Sequence, residues 1–238
     1  MPDPVSIHNH PPITLDNLNE YLKGLGKEFR RLNGTKTHAE IILVGGAAVL
    51  AKYDFRDSTY DVDAIIVASS AMKDAINRVR DIHGLPHGWL NTDFTRTGSY
   101  SKKLSEVSVY YRTFSNVLTV RIITAEYLVA MKLMSGRQYK NDLSDIVGVL
   151  WEHQKKGEPI SREAVDKAFR TLYGVNATIP ETSHIVLDAV YSDGNYEAMF
   201  EITRDNELES RDLLLEFERK YPHSLGKDNI DEVKHFDS

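Results

Sequence analysis

The spacing of apolar residues changes along the chain and predicts an alternation of helices and strands. Large apolar residues near the start recur every three or four positions, which predicts a helix capped by Thr14 or Asp16 and running to about Leu32. A continuous β-branched and aliphatic run at residues 41–44 predicts a buried strand. Further along, residues 61–68 predict a second strand, and 71–82 an amphipathic helix.

The second half of the chain begins with a hairpin and continues with helices. Residues 104–114 and 117–123 are rich in β-branched and aromatic side chains, which predicts two antiparallel strands joined at Ser115 and Asn116. The helices expected after it have their start signals at Thr124, Ser161, Thr182 or Ser183, and Asn195.

Two carboxylates, Asp61 and Asp63, stand one residue apart at the start of the second predicted strand. Side chains alternate between the faces of a strand, so both carboxylates point to one side and Val62 to the other. A cation relieves their mutual repulsion, and Mg²⁺ is usually held by one or two carboxylates together with substrate phosphates. The pair therefore predicts a Mg²⁺ or Mn²⁺ site and a phosphate-bearing substrate.

A glycine pair, Gly45 and Gly46, separates the first predicted strand from a helix expected to start at Ala47. Glycine lets the backbone approach a ligand closely, and the N–H groups at a helix N-terminus attract anions. A glycine pair between strand and helix is most often only a tight turn. The Asp-x-Asp motif that begins fifteen residues later favours the phosphate-binding interpretation.

Together these motifs resemble the nucleotidyltransferase-fold superfamily, and most closely its small prokaryotic members, which include AbiEii-type toxins of toxin–antitoxin and abortive-infection systems. The resemblance covers roughly residues 35–150 and includes residues 84–91 (GLPHGWLN) and the stretch 124–146. It implies an α/β (mixed) nucleotidyltransferase fold: a small mixed β-sheet flanked by helices, with a helical C-terminal region.

The resemblance also implies a reaction in which an acceptor attacks the α-phosphate of a nucleoside triphosphate and releases pyrophosphate. Asp61 and Asp63 would hold the metal ion. The residues implied to be catalytic are Asp61, Asp63, Lys132, Asp142 and Asp145. The residues implied to bind the nucleotide are Gly45, Gly46, Arg56, Ser58, Thr59 and Arg137.

Lys132 matches a lysine that lies near the phosphates in the toxins, although most lysines on such a helix are solvated. Asp142 and Asp145 are three residues apart and share one face of a helix. Either they act as a base at the attacking or metal-bound group, or they hold Lys132 and Arg137 by charge pairing. We favour the second role for Asp145 and leave Asp142 open.

Two positions depart from the superfamily pattern. Ala47 follows the second glycine where many members carry a serine hydroxyl, so only backbone donors remain there. Many active members also have a third carboxylate on a later strand, where this chain offers Thr119 and Arg121. The chain would then use one metal ion, recruit Asp142, or bind nucleotide without turnover.

Composition and charge divide the 238 residues into three parts. Residues 1–13 contain four prolines and predict a flexible N-terminal arm. Residues 14–150 form the predicted nucleotidyltransferase-like domain, and 151–238 a helical acidic C-terminal region. Residues 181–238 hold 15 acidic and 6 basic residues, a balance of −9, whereas 1–180 hold 20 and 23, a balance of +3.

The chain contains no cysteine, which excludes disulfides and thiolate chemistry. No stretch has the length of a membrane span, and the first residues lack the features of a signal peptide, so we expect a cytoplasmic protein. Five cations of the hairpin region suit either a triphosphate or RNA surface, or a solvated edge: Arg96, Lys102, Lys103, Arg112 and Arg121.

Three functions of different classes remain open from the sequence. The first is a Mg²⁺-dependent nucleotidyltransferase that moves a nucleoside monophosphate from an NTP to an RNA, such as a tRNA, or to a protein, as the toxin of a two-gene module. The second is a catalytically weakened nucleotide-binding protein of the same fold. The third is a component without enzymatic activity that binds an antitoxin or a second copy of itself.

Overall fold

The structure is a computed structural model and describes residues 10–222 and 224–225. A five-stranded sheet forms its centre, with strands β1 (Ala39–Leu43), β2 (Val62–Val67), β3 (Leu90–Asn91), β4 (Ser108–Phe114) and β5 (Leu118–Ile123). Their order across the sheet is β3-β2-β1-β5-β4. β1 is parallel to β5 and β2 to β3, whereas the β1–β2 and β4–β5 pairs are antiparallel. The predicted mixed sheet is confirmed.

Helices cover the sheet and form the C-terminal part of the described chain. Their bounds are α1 (Leu15–Asn33), α2 (Gly45–Lys52), α3 (Ala71–His83), α4 (Ala125–Ser135), α5 (Asp142–Lys155), α6 (Arg162–Tyr173), α7 (Glu181–Asp193) and α8 (Tyr196–Lys220). The predicted fold class, a mixed α/β domain with a helical C-terminal region, is confirmed.

Most predicted elements agree with the structure to within a few residues, and the differences have local causes. α2 begins at Gly45, so the glycine pair forms its first turn instead of preceding it. β4 begins at Ser108 because Leu104 lies in a short 3₁₀ turn. The prediction that Thr182 or Ser183 opens α7 is wrong, because α7 begins at Glu181 and its N-cap residue is Pro180. Proline is common at the start of a helix, since its ring fixes φ and it has no N–H group to satisfy.

The C-terminal helices share the hydrophobic core of the sheet. Val165, Leu187 and Phe200 belong to the same cluster of buried side chains as Ile42 and Leu133. α8 packs along α5, and α6 packs along α4. This packing brings side chains of the acidic C-terminal region next to the start of α5; the division into domains at residue 150 stays a prediction.

The predicted N-terminal arm, residues 1–13, lies mostly outside the described residues. Within the described part, Ile13 is buried and forms a β-bridge with Thr59. Its N–H donates to the Thr59 carbonyl at 2.6 Å, and the Thr59 N–H donates back at 2.9 Å. None of the helices in the described residues is long and apolar enough to cross a membrane.

Candidate functional site

The Asp63 carboxylate lies beside the first turn of α2. The Val44 N–H donates to the Asp63 carbonyl at 3.0 Å, which ties the end of β1 to the start of β2. A Cβ atom placed on Gly45 would lie 3.6 Å from Asp63 Oδ2. The first amides of an α-helix have no acceptor within the helix, and they carry the positive end of its dipole. Asp63, whose carboxylate suits a cation, therefore lies next to the N-terminus of α2, which suits an anion.

Asp61 and Asp63, which we call the aspartate pair, carry more negative charge than their surroundings neutralise. Asp61 is exposed and Asp63 is partly buried. Burial and then the charge of Asp61 raise the pKa of Asp63 to about 6, although Arg137, Lys140 and Lys132 act in the opposite direction. Bringing a divalent cation to the pair would relieve the repulsion that raises this pKa.

The donor set of the aspartate pair fits Mg²⁺ only when a substrate completes it. Within the described residues, no group of three or more His, Cys, Asp or Glu side chains is placed to hold a metal ion. Mg²⁺ is commonly bound through one or two carboxylates plus phosphate oxygens and water. The pair therefore suits a metal ion that arrives with a nucleotide, not an ion held in a cage of protein ligands.

The sheet register locates the strand positions where a third carboxylate was expected. Ile42 of β1 pairs with Ile65 of β2 on one side and with Arg121 of β5 on the other. Side chains paired across strands share a face, so Arg121 lies on the face of Ile65 and Asp63, two strands from β2. The Arg121 Nε donates to Ser108 Oγ at 2.8 Å, so its guanidinium is bound to the edge strand β4.

The direct neighbour of Asp63 on the other side of β2 is Asn91 of β3. The Asn91 amide donates to the Gly88 carbonyl at 3.2 Å, and its Oδ1 accepts the Asp93 N–H at 2.8 Å. A neutral amide held by local hydrogen bonds thus borders the aspartate pair. The short strand β3 was not predicted, and Asn91 was noticed only as part of the GLPHGWLN segment.

Five charged residues form a second cluster, the buried ion network: Arg56, Lys132, Arg137, Asp142 and Asp145. Lys132 Nζ lies 2.7 Å from Asp142 Oδ1 and 2.8 Å from Asp145 Oδ2. Arg56 Nη1 lies 2.8 and 2.6 Å from the two carboxylate oxygens of Asp145. On the other side, Arg137 Nε donates to Asp142 Oδ2 at 2.8 Å.

The local sequence explains why the network forms where α4 meets α5. Lys132 is in the last turn of α4, which ends at Gly136 in the left-handed conformation with φ 53°. Asp142 and Asp145 are in the first turn of α5. A cation at a helix C-terminus and carboxylates at a helix N-terminus both interact favourably with the helix dipoles. The short loop then brings the opposite charges together.

Mutual pairing keeps the network ionised despite its burial. Burial opposes the positive charge of Lys132, but Asp142 and Asp145 outweigh this effect and raise the pKa of its ammonium group. Burial also opposes ionised Asp142, yet Arg137 and Lys132 hold its pKa well below the ordinary value. Lys132, Asp142 and Asp145 are each at most 5% exposed. These charges satisfy one another.

Arg137 differs from the other members of the network because its side chain is 40% exposed. One edge of its guanidinium is bound to Asp142, and its charge also acts on Asp63. Lys140, which is exposed and three residues further along, acts on Asp63 as well. The charges of these two cations link the α4–α5 loop to the aspartate pair. Lys140 is not among the site residues that the sequence predicts.

Arg56 and Thr59 crowd the second glycine of α2. A Cβ on Gly46 would lie 2.9 Å from both Arg56 Nη2 and Thr59 Oγ1. Thr59 Oγ1 donates to the Asp61 carbonyl at 3.2 Å, and Arg56 Nε donates to the Ser58 carbonyl at 3.1 Å. Close packing thus explains why position 46 is a glycine. At position 45 the backbone has φ 56°, a conformation that glycine adopts easily.

Glu207 of α8 caps the start of α5. Its carboxyl accepts hydrogen bonds from the Leu143 N–H at 2.7 Å and the Ser144 N–H at 3.3 Å, and from the Ser144 hydroxyl. Burial raises the pKa of Glu207 to about 8. Nothing in the local sequence indicated this role, because Glu207 is 64 positions from Leu143 in an acidic helix.

The predicted site residues therefore fall into three groups. Asp61, Asp63 and Gly45 surround the N-terminus of α2; Lys132, Asp142, Asp145, Arg56 and Arg137 form the buried ion network; Gly46, Ser58 and Thr59 border Arg56. The favoured role for Asp145 was to hold Lys132 and Arg137. In the structure Asp145 pairs with Lys132 and Arg56, and Asp142 pairs with Arg137. The catalytic and ligand-binding roles stay predictions.

Two of the five cations of the hairpin region are bound within the fold. Lys103 Nζ donates to the Thr171 carbonyl at 2.8 Å, and Arg121 is bound to Ser108. Ser115 and Asn116, which join the strands, both have positive φ, as a tight hairpin turn requires. The proposed nucleic-acid surface at this hairpin stays a prediction.

Comparison with known proteins finds one family model. Residues 20–153, more than half of the chain, match the model of a family described as nucleotidyltransferase of unknown function (DUF6036). This match confirms the superfamily to which the sequence motifs pointed; the closer resemblance to AbiEii-type toxins stays a prediction. No curated protein and no solved structure matches the chain.

Proposed function

Because this chain belongs to the DUF6036 family of nucleotidyltransferases of unknown function, we propose that it transfers a nucleoside monophosphate from a nucleoside triphosphate to an acceptor, with Mg²⁺ as cofactor. The observation that carries this proposal is the proximity of the Asp63 carboxylate to the N-terminus of α2. A metal-bound triphosphate needs both features, a carboxylate for the cation and N–H donors for the phosphates.

Each part of the site has a role in this reaction. The first amides of α2, at Gly45 and Gly46, donate hydrogen bonds to phosphate oxygens. Arg137 and Lys140, whose charges already act on Asp63, offset the negative charge of the triphosphate. Asp61 and Asp63 would hold Mg²⁺, which would neutralise charge on the phosphate oxygens. In the transfer, an acceptor oxygen forms a bond to the α-phosphorus and the bond to the pyrophosphate oxygen breaks.

The buried ion network positions two arginines of the site, Arg137 and Arg56. Lys132 is enclosed by Asp142 and Asp145, so we assign it a positioning role: it fixes Asp142, which in turn orients the guanidinium of Arg137. Asp145 fixes Arg56 beside Gly46 in the same way. The exposed part of Arg137 is the portion of the network that can reach a phosphate.

We propose an RNA or a protein as acceptor, and a toxin role within a two-gene module. The acidic balance of residues 181–238 supports a basic partner protein, such as an antitoxin, because opposite charge speeds and strengthens association.

The decisive experiment uses each of the four α-labelled nucleoside triphosphates with Mg²⁺ and cell extract. We expect the wild-type protein to transfer label to RNA or protein, and Asp63→Asn to lose at least about a hundredfold of the rate, because it removes a metal ligand. Asp74→Asn, which alters an exposed carboxylate in the first turn of α3, is the matched control. Equal transfer by Asp63→Asn, or no transfer by the wild type, would contradict the proposal.

A second candidate function is nucleotide binding without turnover. It is favoured by the strand residues Thr119 and Arg121, which supply no carboxylate on the sheet face of Asp63. Calorimetry with Mg-ATP separates the two candidates. Saturable binding that depends on Asp63, together with no label in any acceptor, supports the second candidate and overturns the first.

A further inference from the structure

A cavity of about 160 Å³ lies between the start of α5 and the middle of α8. Its polar lining includes three arginines, Arg56, Arg204 and Arg211, together with Ser58 and Ser144. Asp61 and Asp63 are not among the described residues that line it. A water molecule occupies about 30 Å³ in the liquid, so the volume is enough for a phosphate group with some water.

The two arginines from α8 stand out against the charge of their helix. α8 carries eight acidic residues, and before its last turn the described helix has only two basic residues, Arg204 and Arg211. They are seven positions apart, so they lie on one face of the helix, with Glu207 between them. This is the face that α8 turns toward α5, because Glu207 binds the α5 amides.

Of the three arginines in the cavity, Arg56 is paired with Asp145, whereas Arg204 and Arg211 are not closely paired with carboxylates of the described residues. Arg204 is exposed and makes no ion pair with any described residue. Arg211 has one distant carboxylate, its neighbour Asp212 at 3.8 Å. Among the lining acids, Asp145 is already neutralised by Arg56 and Lys132, which leaves Asp57 as the remaining acidic side chain.

The start of α5 adds one side-chain donor on the opposite wall, the amide of Asn141. Asn141 precedes the first residue of α5 and, with Ser144, lines the cavity. Glu207 occupies the amides of Leu143 and Ser144 and also the Ser144 hydroxyl, so the helix end alone does not make the site. The guanidinium groups carry the main attraction, since arginine forms bidentate, charge-assisted hydrogen bonds with phosphate.

An apolar wall completes the cavity on one side. Phe55, Phe200 and Leu208 line it, and the rings of Phe55 and Phe200 meet edge to face with centroids 5.4 Å apart. An apolar wall next to arginines suits a ligand that has a phosphate at one end and an apolar or aromatic part at the other.

From this arrangement we propose that the cavity between α5 and α8 is a second phosphate-binding site, which takes the phosphate group of a small ligand independently of the aspartate pair. The shared chemistry of the ligands is a phosphate dianion held by Arg204 and Arg211. Free phosphate and a nucleoside monophosphate both present it, and the apolar wall would distinguish them. The site goes beyond the proposed transfer reaction, in which Arg204 and Arg211 have no role.

The test is calorimetry in buffer without divalent cations, with inorganic phosphate, AMP and adenosine as three separate probes. We expect phosphate and AMP to bind and adenosine not to bind. Arg204→Gln and Arg211→Gln should each weaken phosphate binding by about tenfold, the loss of one charge-assisted interaction. Tighter binding of AMP than of phosphate would identify a nucleotide as the ligand, and equal binding would identify phosphate alone; either result supports the site.

Two further variants keep the test independent of folding and of the transfer reaction. Asp57→Asn removes a carboxylate from the lining and should tighten phosphate binding by about threefold, a gain that misfolding does not produce. Asp63→Asn should leave phosphate binding unchanged. The matched control is Arg219→Gln, in the last turn of the same helix.

Three results would overturn the proposal. The first is no saturable binding of phosphate to the wild-type protein. The second is an equal loss in Arg219→Gln and Arg204→Gln, which would indicate a general effect of net charge. The third is a change of phosphate affinity in Asp63→Asn, tighter or weaker, which would place the phosphate next to the aspartate pair.

Discussion

The aspartate pair and the buried ion network contain similar side chains, but they differ in how their charge is balanced. In the network, Lys132 lies within 2.8 Å of two carboxylates, and the surrounding charges keep Asp142 ionised. In the aspartate pair, burial and repulsion raise the pKa of Asp63 to about 6, in spite of three cations nearby. Removing one member of a set of balanced, buried charges destabilises the fold, whereas unbalanced charges at the surface are available to a ligand.

The comparison changes how the two motifs are understood. In the sequence both are pairs of aspartates next to apolar residues, and the family resemblance implies a catalytic role for both, although we favour charge pairing for Asp145. In the structure Asp142 and Asp145 are enclosed by cations of the same protein, and Asp61 is exposed. Substitutions in the network should therefore act first on stability, and substitutions in the aspartate pair first on ligand binding.

The largest expected effect on stability comes from Lys132→Met. It leaves the buried carboxylates of Asp142 and Asp145 without their common cation, and removing one partner of a buried ion pair costs about 3–5 kcal/mol of unfolding free energy. Urea denaturation followed by circular dichroism measures the loss. The control is Lys140→Met, which removes an exposed lysine of the same loop and should cost less than about 1 kcal/mol. Equal losses in the two variants would refute the distinction.

Gly46→Ala should have the next largest effect, because it disturbs the network from α2. The new Cβ would lie 2.9 Å from Arg56 Nη2 and Thr59 Oγ1, so the Arg56 guanidinium, which is bound to Asp145, or the Thr59 side chain must shift. We expect a loss of about 1–3 kcal/mol, which is typical of overpacking. Gly98→Ala, at a position with open space, should change the unfolding free energy by less than about 0.5 kcal/mol. A loss in Gly46→Ala no greater than that would mean that Arg56 adapts freely.

The two regions also differ in how far the sequence could predict them. The aspartate pair depends on strand alternation over three residues, and the pairing of Lys132 with Asp142 spans ten positions between adjacent helices. Such local relations follow from periodicity and short loops. The Arg56–Asp145 pair spans 89 positions and the Glu207–Leu143 bond 64. These contacts depend on how segments that are far apart in the sequence pack together, for which the sequence contained no signal.

Glu207 leads to a prediction on how the unfolding free energy depends on pH in the absence of ligand. Its pKa is raised to about 8, mainly by burial, with Asp142 and Asp145 adding to the effect. The folded state therefore holds one more proton than the unfolded state between the ordinary pKa of a glutamate and pH 8. The stability that this proton supplies is fully present below the ordinary pKa and is lost as the pH rises to about 8.

The measurement compares Glu207→Gln with the wild type by urea denaturation at several pH values from 5 to 9. The variant stays neutral, so its stability should fall less than that of the wild type as the pH increases across this range. Glu209→Gln, two residues along the same helix and exposed, should keep the wild-type slope. Parallel slopes for Glu207→Gln and the wild type would show that Glu207 is ionised throughout.

The smallest expected change in stability belongs to Asp63→Asn, and it sharpens the comparison most. Neutralising Asp63 removes its repulsion with Asp61, so at pH 8 the unliganded variant should be as stable as the wild type or more stable.

The two proteins should differ once Mg-ATP is added. A ligand that binds only the folded state raises its stability by about 2.7 kcal/mol at a hundred times its dissociation constant. The wild type should gain this stabilisation and Asp63→Asn should not, as measured by thermal unfolding with and without Mg-ATP. If the variant is less stable than the wild type without ligand, yet is still stabilised by Mg-ATP, then Asp63 has a structural role like that of Asp142 and does not bind the ligand.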